Sequence, residues 1–252
     1  MIKLLMIYYA LSDIHGKLGA LKETLENVDL ENPENKLILL GDYIDMGEQS
    51  CEVLYYVKEL CEKYPGQVIA LLGNHEEMFL EWLLSPIEAV HWLNEDRDLV
   101  TVKTFISDVQ LKEISAALSA NTDIFSLSEL IVNMIKENHK ELREWLRKLP
   151  LYYETEDQIF VHAGIDEEAE DFWKHGTPEE FFTEKFPPTK ASFYKDIIAG
   201  HVGVSSEYLA NDENFNEIYW DKKNHYYIDG SVCKTGNLLL LKYDTETKTY
   251  TI

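Results

Sequence analysis

Five short aliphatic or β-branched runs in this chain each end in residues that can hold a metal ion. The run at 6–11 leads into Asp13 and His15, that at 36–40 into Gly41, Asp42 and Asp45, and that at 68–72 into Gly73, Asn74, His75 and Glu76. Residues 159–161 lead into His162-Ala163-Gly164, and 197–199 into Gly200-His201. Two carboxylates (Asp13, Asp42), one amide carbonyl (Asn74) and three imidazoles (His15, His162, His201) make a mixed oxygen and nitrogen set without thiolates. Such a set suits Mn, Fe, Ni, Co or Zn. Six donors exceed what one tetrahedral ion needs, and a carboxylate can bridge two. Two adjacent ions activate water and clamp the oxygens of an in-line displacement at phosphorus. Alone, each ending reads as a turn or a hydrogen-bonded structural histidine. Five in one chain predict a shared metal site.

The elements that must position these residues follow from the same pattern. Short apolar runs bounded by Gly and turn residues read as buried strands. In open α/β sheets ligands bind in the crevice beyond the carboxyl ends of the strands. The order is strand, helix at about 17–28, strand, helix at about 48–63, strand, which implies crossovers and sheet pairing parallel at least in part. Residues 76–149 differ: Met78, Phe79, Trp82 and Leu83 recur at helical spacing, as do Leu130, Val132, Met134 and Ile135, then Leu142, Trp145, Leu146 and Leu149. This stretch is expected to be a helical insertion or cap, at about 77–149, within one domain spanning 1–252, its aromatic stripe packing the core. Pro150 ends it. Two strand pairs are expected next, 152–154 with 159–161 and 226–228 with 237–243. Asp229-Gly230 and Thr235-Gly236-Asn237 are read as hairpin-type turns of the second pair, and 244–248 as the turn before a terminal strand. Pro187 and Pro188 exclude helix at 186–189. The fold class is α/β (α+β by some schemes).

Composition narrows the partners. At 252 residues and 45% apolar, the chain can bury a sizeable core. Cys51, Cys61 and Cys233 are sparse and unpaired in spacing, which points to a reducing, cytoplasmic setting without a disulfide framework. No apolar stretch approaches a membrane span. The opening apolar run feeds directly into Asp13, so it reads as the first strand and not as a removable leader. A net charge of −23 disfavours nucleic acid as a partner. It also conflicts with an anionic substrate unless bound cations dominate the local field, as a two-metal centre would.

Asp13-Ile14-His15-Gly16, Gly41-Asp42-Tyr43-Ile44-Asp45-Met46-Gly47, Gly73-Asn74-His75-Glu76, His162-Ala163-Gly164 and Gly200-His201 resemble the signature blocks of the calcineurin-like metallophosphoesterases. The resemblance runs from residue 13 to about 240 and is nearest the phosphoprotein phosphatase branch, which includes bacterial Ser/Thr protein phosphatases and symmetrical diadenosine tetraphosphatases. It implies a mixed β-sandwich flanked by helices, with a dimetal centre at strand ends. It further implies that Asp13, His15 and Asp42 hold one ion and that Asp42 bridges to a second, completed by Asn74, His162 and His201. The ions are divalent or trivalent, manganese foremost, with iron, zinc, nickel or cobalt as alternatives. His75 is implied to be the general acid, with Asp45 orienting it, and metal-bound hydroxide the nucleophile, so no covalent enzyme intermediate is expected.

The chain departs from that pattern at two points. Met46 stands where the second block ordinarily carries an arginine that grips phosphoryl oxygens, and no arginine follows Arg147. Lys185 and Lys174 are the candidate stand-ins for a second family arginine, each a point charge instead of a fork. Gly203 follows Val202 where nuclease-like relatives would carry a further histidine. The expected activity is hydrolysis of phosphomonoesters, on a phosphorylated protein or a small phosphorylated metabolite. A diadenosine tetraphosphate or related pyrophosphate hydrolase on the same centre is the alternative; if phosphate recognition is redirected, the helical cap is expected to grip a nucleotide or small phosphodiester. A non-catalytic metal-binding interaction protein is the third reading.

Overall fold

The computed structural model describes residues 6–211 and 215–252, so residues 3–5 of the opening run lie outside the described residues. The chain begins with β1 (Ile7–Leu11), α1 (Leu18–Leu25), β2 (Lys36–Leu39), α2 (Ser50–Lys63) and β3 (Val68–Ala70). It then runs through α3 (Asn74–Leu84), α4 (Val90–Glu95), a 3-10 turn (Arg97–Leu99), α5 (Val100–Phe105), α6 (Asp108–Ser119), α7 (Ile124–Asn138) and α8 (Lys140–Leu146). The remaining strands are β4 (Tyr152–Glu154), β5 (Gln158–Val161), β6 (Asp196–Ala199), β7 (Tyr219–Trp220), β8 (His225–Tyr227), β9 (Leu241–Asp244) and β10 (Thr249–Thr251). They form two five-stranded mixed sheets, ordered β10-β9-β1-β2-β3 and β4-β5-β6-β8-β7.

Both sheets are buried on both faces near the site. β1 sends Tyr9 and Leu11 beneath the helices and Tyr8 and Ala10 between the sheets; Leu37 and Leu39 of β2 divide from Ile38 and Leu40 in the same way. In the second sheet Ile159, Val161, Ile197 and Ala199 pack against Trp173 and Phe182, while Phe160 and Ile198 fill the layer between the sheets. Each fully buried Leu or Ile contributes about 1.5–3 kcal/mol. That is why these strands are unbroken apolar runs and not alternating ones. Polar donors are thereby confined to the strand ends. β1, β2 and β3 are mutually parallel, as are β5, β6 and β8, so each sheet gathers three carboxyl ends.

β4 pairs antiparallel with β5, Tyr152 opposite Val161, as the sequence leads one to expect. The second expected pair does not form. β8 fills the edge of β6 in parallel and takes β7 on its other side, whereas β9 pairs with β1 and β10. After β8, Ile228 joins the layer between the sheets, and a short helix (Val232–Thr235) closed by Gly236 at φ 76° precedes β9 in the first sheet. Asp229-Gly230 is therefore a strand end and not a hairpin turn. Two-residue β7 is too short to leave a periodic signal.

The helices between β3 and β4 pack an aromatic core. Trp82 and Trp92 stack at 4.6 Å, Phe79 lies 5.1 Å from Trp92 and 5.0 Å from Phe105, and Trp82 donates its Nε1–H to Ser128 Oγ at 2.8 Å. Among the described residues, no helix is long and apolar enough to cross a membrane.

Candidate active site

The loops after the strands interlock by backbone contact. Asp13 N–H donates to Gly41 O, His15 N–H to Asp42 O and Gly200 N–H to His162 O. A Cβ on Gly73 would lie 2.3 Å from Asp42 Oδ1, and one on Gly200 would lie 2.3 Å from Asp13 Oδ2. Neither loop could approach its neighbour with a side chain there. Asp13, His15, Asp42, Asp45, Met46 and His201 all have φ between 43° and 68°. Left-handed backbone at non-glycine residues costs on the order of 1–3 kcal/mol each and gathers where surrounding structure over-determines it.

Glu76 supplies part of that determination. It is fully buried, and its Oε2 accepts the N–H groups of Asp42 (2.8 Å) and Gly73 (3.2 Å), while Oε1 accepts those of Tyr43 (2.8 Å) and Ile44 (3.2 Å). One carboxylate thus ties the loop after β2 to the start of α3. Glu76→Ala leaves these N–H groups without partners and is expected to destabilise the fold by about 3–5 kcal/mol, measured by denaturant unfolding. A loss below about 1 kcal/mol would mean that the loop is held by other contacts.

The six predicted donors converge. Asp13, His15, Asp42, Asn74 and His201 line one cavity of about 260 Å³ together with His75, and His162 lies fully buried beside it. Asp42 Oδ2 lies 3.3 Å from His162 Nε2, 3.9 Å from His15 Nε2 and 3.9 Å from His75 Nε2. Asn74 Oδ1 lies 3.0 Å from His162 Nε2 and 3.1 Å from His201 Nδ1. Asp13 Oδ2 accepts the His201 N–H at 3.1 Å, and its Oδ1 is 4.0 Å from His15 Nε2. The result is two overlapping groups that share Asp42: His15, Asp42 and His75, and Asp42, His162 and His201, with donor atoms within 4.8 Å of one another in each.

Two observations show that this donor set suits metal ions. His15 Nδ1 lies 2.9 Å from Ile44 O and His162 Nδ1 lies 2.9 Å from Leu40 O. A ring N–H given to a carbonyl leaves the other nitrogen with a free lone pair, and here both Nε2 atoms face Asp42 Oδ2. The second observation is an excess of buried acid. Burial, then the charges of Asp229 and Asp42, raise Asp13 well above the usual carboxylate range. Burial alone would also raise Asp42, but the imidazoles of His162, His75 and His15 outweigh it and hold that carboxyl low. Burial and the neighbouring Asp42 charge push Glu76 up to about 7. Burial thus works against the charge of Asp13 and Glu76, and bound cations would favour their ionised forms.

His75 stands at the flank of the cavity. Its Nδ1 lies 2.7 Å from Asp45 Oδ2 while Nε2 faces Asp42. Burial works against its positive charge, but Asp42 and Asp45 prevail and raise it to about 10. Asp45 is itself held from the helical region: Thr101 Oγ1 donates to Oδ1 at 2.7 Å and Trp92 Nε1–H to Oδ2 at 3.3 Å. Nothing in residue type marked Thr101 or Trp92 beforehand, because only tertiary packing brings 92 and 101 to 45.

A family model described as calcineurin-like phosphoesterase matches residues 6–233. This chain belongs to that family. It is 24% identical over 209 residues to a symmetrical bis(5'-nucleosyl)-tetraphosphatase of a Marinomonas species, covering 77% of this chain and 62% of the relative. It is 28% identical over 160 residues to the enzyme of that name in Vibrio campbellii, covering 64% and 45%. The chain therefore spans about half to three-fifths of the length of these curated relatives. Among solved structures, a protein serine/threonine phosphatase from Saccharomyces cerevisiae shares the fold, with a TM-score of 0.55 and 15% identity over 95% of this chain and 73% of that one.

In this calcineurin-like phosphoesterase the two lysines proposed as phosphate contacts are engaged elsewhere. Lys185 packs its stem on Gly164, and its ammonium is bound by Ile165 O and Glu167. Glu167 also meets His225 Nε2 at 3.1 Å and Thr189 Oγ1 at 3.2 Å, so Lys185 completes a half-buried structural network. Lys174 pairs with Glu154 and lies over the Trp173 ring. Neither lines the cavity. An unpaired ammonium in so acidic a chain is drawn to the nearest carboxylate, which residue type alone does not reveal. Four cavity residues have no site role in the sequence reading: Asp229, Ser231, Cys233 and Lys234. Asp229 had a usable signal, since it follows an apolar run at the end of β8 in the same manner as the other five blocks.

Proposed function

We propose that this chain is a two-metal phosphoesterase acting on dinucleoside polyphosphates or closely related pyrophosphates. The observation that carries the hydrolase reading is the pair of donor groups sharing Asp42, flanked by the His75–Asp45 pair. The names of the relatives favour the pyrophosphate substrate over the phosphomonoester one. Asp13, His15 and Asp42 would hold one ion, and Asp42, Asn74, His162 and His201 the other. Bound there, the ions supply Lewis acidity and activation of water. His75, its tautomer set by Asp45, presents Nε2 as the proton donor to the leaving oxygen. Asp45, gripped by Thr101 and Trp92, prevents the ring from rotating away. The left-handed loops hold these side chains before substrate arrives, so little reorganisation accompanies the reaction.

The test is direct. Protein loaded with Mn²⁺ is expected to release nucleoside diphosphate from diadenosine tetraphosphate faster than it releases phosphate from a phosphoserine peptide. The reverse order would restore the phosphomonoester reading. A protein that binds two metals and cleaves neither would be a binding protein.

A further inference from the structure

A second cavity adjoins the first. It holds about 370 Å³, within the range of ordinary ligand pockets, and shares His75 and Met46 with the metal-side cavity. His75 and Asp45 form one end, and Met46, Met78, Trp92 and Val100 contribute apolar surface. Arg97, Glu95 and Asp96 add its charged groups. We propose that this cavity receives the leaving group and that Arg97 is the specificity-determining cation, selecting substrates whose leaving group is itself phosphorylated.

The inference rests on the phosphoesterase reading above, and four features carry it. First, a proton from His75 must reach the leaving oxygen, so the leaving group lies on the His75 side of the phosphorus. His75 lines two cavities: the metal-side one holds the donor set, and this one is the space left for that group. Second, Arg97 is the only lysine or arginine lining it, and its guanidinium has no ion pair or hydrogen bond among the described residues. Asp96 forms no ion pair with it; its carboxylate accepts the N–H groups of Thr101 and Val102 at 2.9 Å each. Glu95 is exposed and forms no ion pair with it. Third, the turn that carries Arg97 is strained: Asp98 and Leu99 follow with φ 57° and 54°. Left-handed backbone at two successive non-glycine residues persists where the surroundings impose it. Fourth, Met46 is 60% exposed between the two cavities, an apolar surface with no charge of its own for phosphate. Lys234 lines the metal-side cavity alone, so in the second cavity the cation offered to phosphate is Arg97.

In the step so described, a water oxygen forms the new bond to phosphorus as the anhydride P–O bond breaks. The electron pair leaves with the departing phosphate oxygen, which takes the His75 proton. The proton given up by water restores His75. Arg97 balances the charge carried by the departing group.

The experiment compares wild type, Arg97→Ala and Arg97→Lys, all loaded with Mn²⁺, on diadenosine tetraphosphate and on phenyl phosphate. The first has a phosphorylated leaving group and the second does not. Arg97→Ala is expected to lower kcat/KM on the tetraphosphate by about 10- to 100-fold, the loss of one charge-assisted contact, and to change phenyl phosphate hydrolysis less than about two-fold. Arg97→Lys should recover part of the loss, since it keeps charge without the fork. Calorimetry supplies a readout apart from turnover: ADP should bind Arg97→Ala about 10- to 100-fold more weakly than wild type, with adenosine unaffected. Equal losses on both substrates, no loss on either, or unchanged ADP binding overturns the inference. Wild type that cleaves phenyl phosphate but not the tetraphosphate overturns it together with the dinucleoside polyphosphate substrate, and leaves the phosphoesterase reading standing. Wild type that cleaves neither overturns the phosphoesterase reading and this one together. Arg97 is exposed, and matching thermal melts would show that the variants fold.

Discussion

Asp42→Ala is expected to reduce phosphoester hydrolysis by at least about 10³-fold and to lower bound metal from two ions per chain to at most one. The reason lies in position: Asp42 is the donor common to both groups, and its Oδ2 faces three imidazoles within 4 Å. Lewis-acid stabilisation is worth several kcal/mol at the transition state, and each 1.4 kcal/mol is about tenfold in rate. Elemental analysis of dialysed protein and a Mn²⁺ titration measure the effect. Stability supplies a control. Metal binding to the native state raises its stability by about 2.7 kcal/mol at a hundred times Kd. The Mn²⁺-dependent rise in melting temperature should therefore shrink in the variant, while the two proteins differ less in chelator. A variant that keeps two ions and normal turnover would remove Asp42 from the centre.

His75→Asn should behave differently. Turnover is expected to fall about 10²–10⁴-fold, the usual contribution of a positioned general acid, with both metals retained. The loss should be greatest for a poor leaving group such as an alkyl phosphate and least for p-nitrophenyl phosphate, whose leaving oxygen needs little protonation. Asp45→Asn should reproduce part of that pattern, because Asp45 acts through the imidazole at 2.7 Å. If His75→Asn instead loses metal, then His75 is a ligand of the group it forms with His15 and Asp42, and the acid must be sought elsewhere. A uniform loss across leaving groups would likewise count against an acid.

The strands and their endings were legible because burial on both faces leaves an unmistakable record. A strand with Tyr9 and Leu11 on one side and Tyr8 and Ala10 on the other can carry polar chemistry only at its end. Five such endings, read from residue type and order, name the donors that the structure gathers around Asp42. The aromatic run from Phe79 to Trp82 was legible as core for the same reason, since helical spacing puts its large side chains on one face. Glu76 stood in a block of interest, but its hold on the N–H groups of Asp42, Tyr43 and Ile44 follows from the approach of two loops and has no local signature.

Strand pairing in the last third was less legible. Hairpin-type residues at Asp229-Gly230 suggest a local turn, yet β8 and β9 enter different sheets because each fills a distant edge. Local chemistry cannot weigh those edges against each other. The same limit governs the charged residues. Lys185 is a plausible phosphate contact by type, and only the nearness of Glu167 decides that it is structural. Arg97 has no motif around it, and only the packing of the helical region against His75 sets it in the second cavity. Donor identity, metal chemistry and the two-layer core follow from residue types and their periods, which are local properties of the chain. Where free charge ends up depends on which carboxylates and cavities lie within a few ångströms, and the folded arrangement alone decides that.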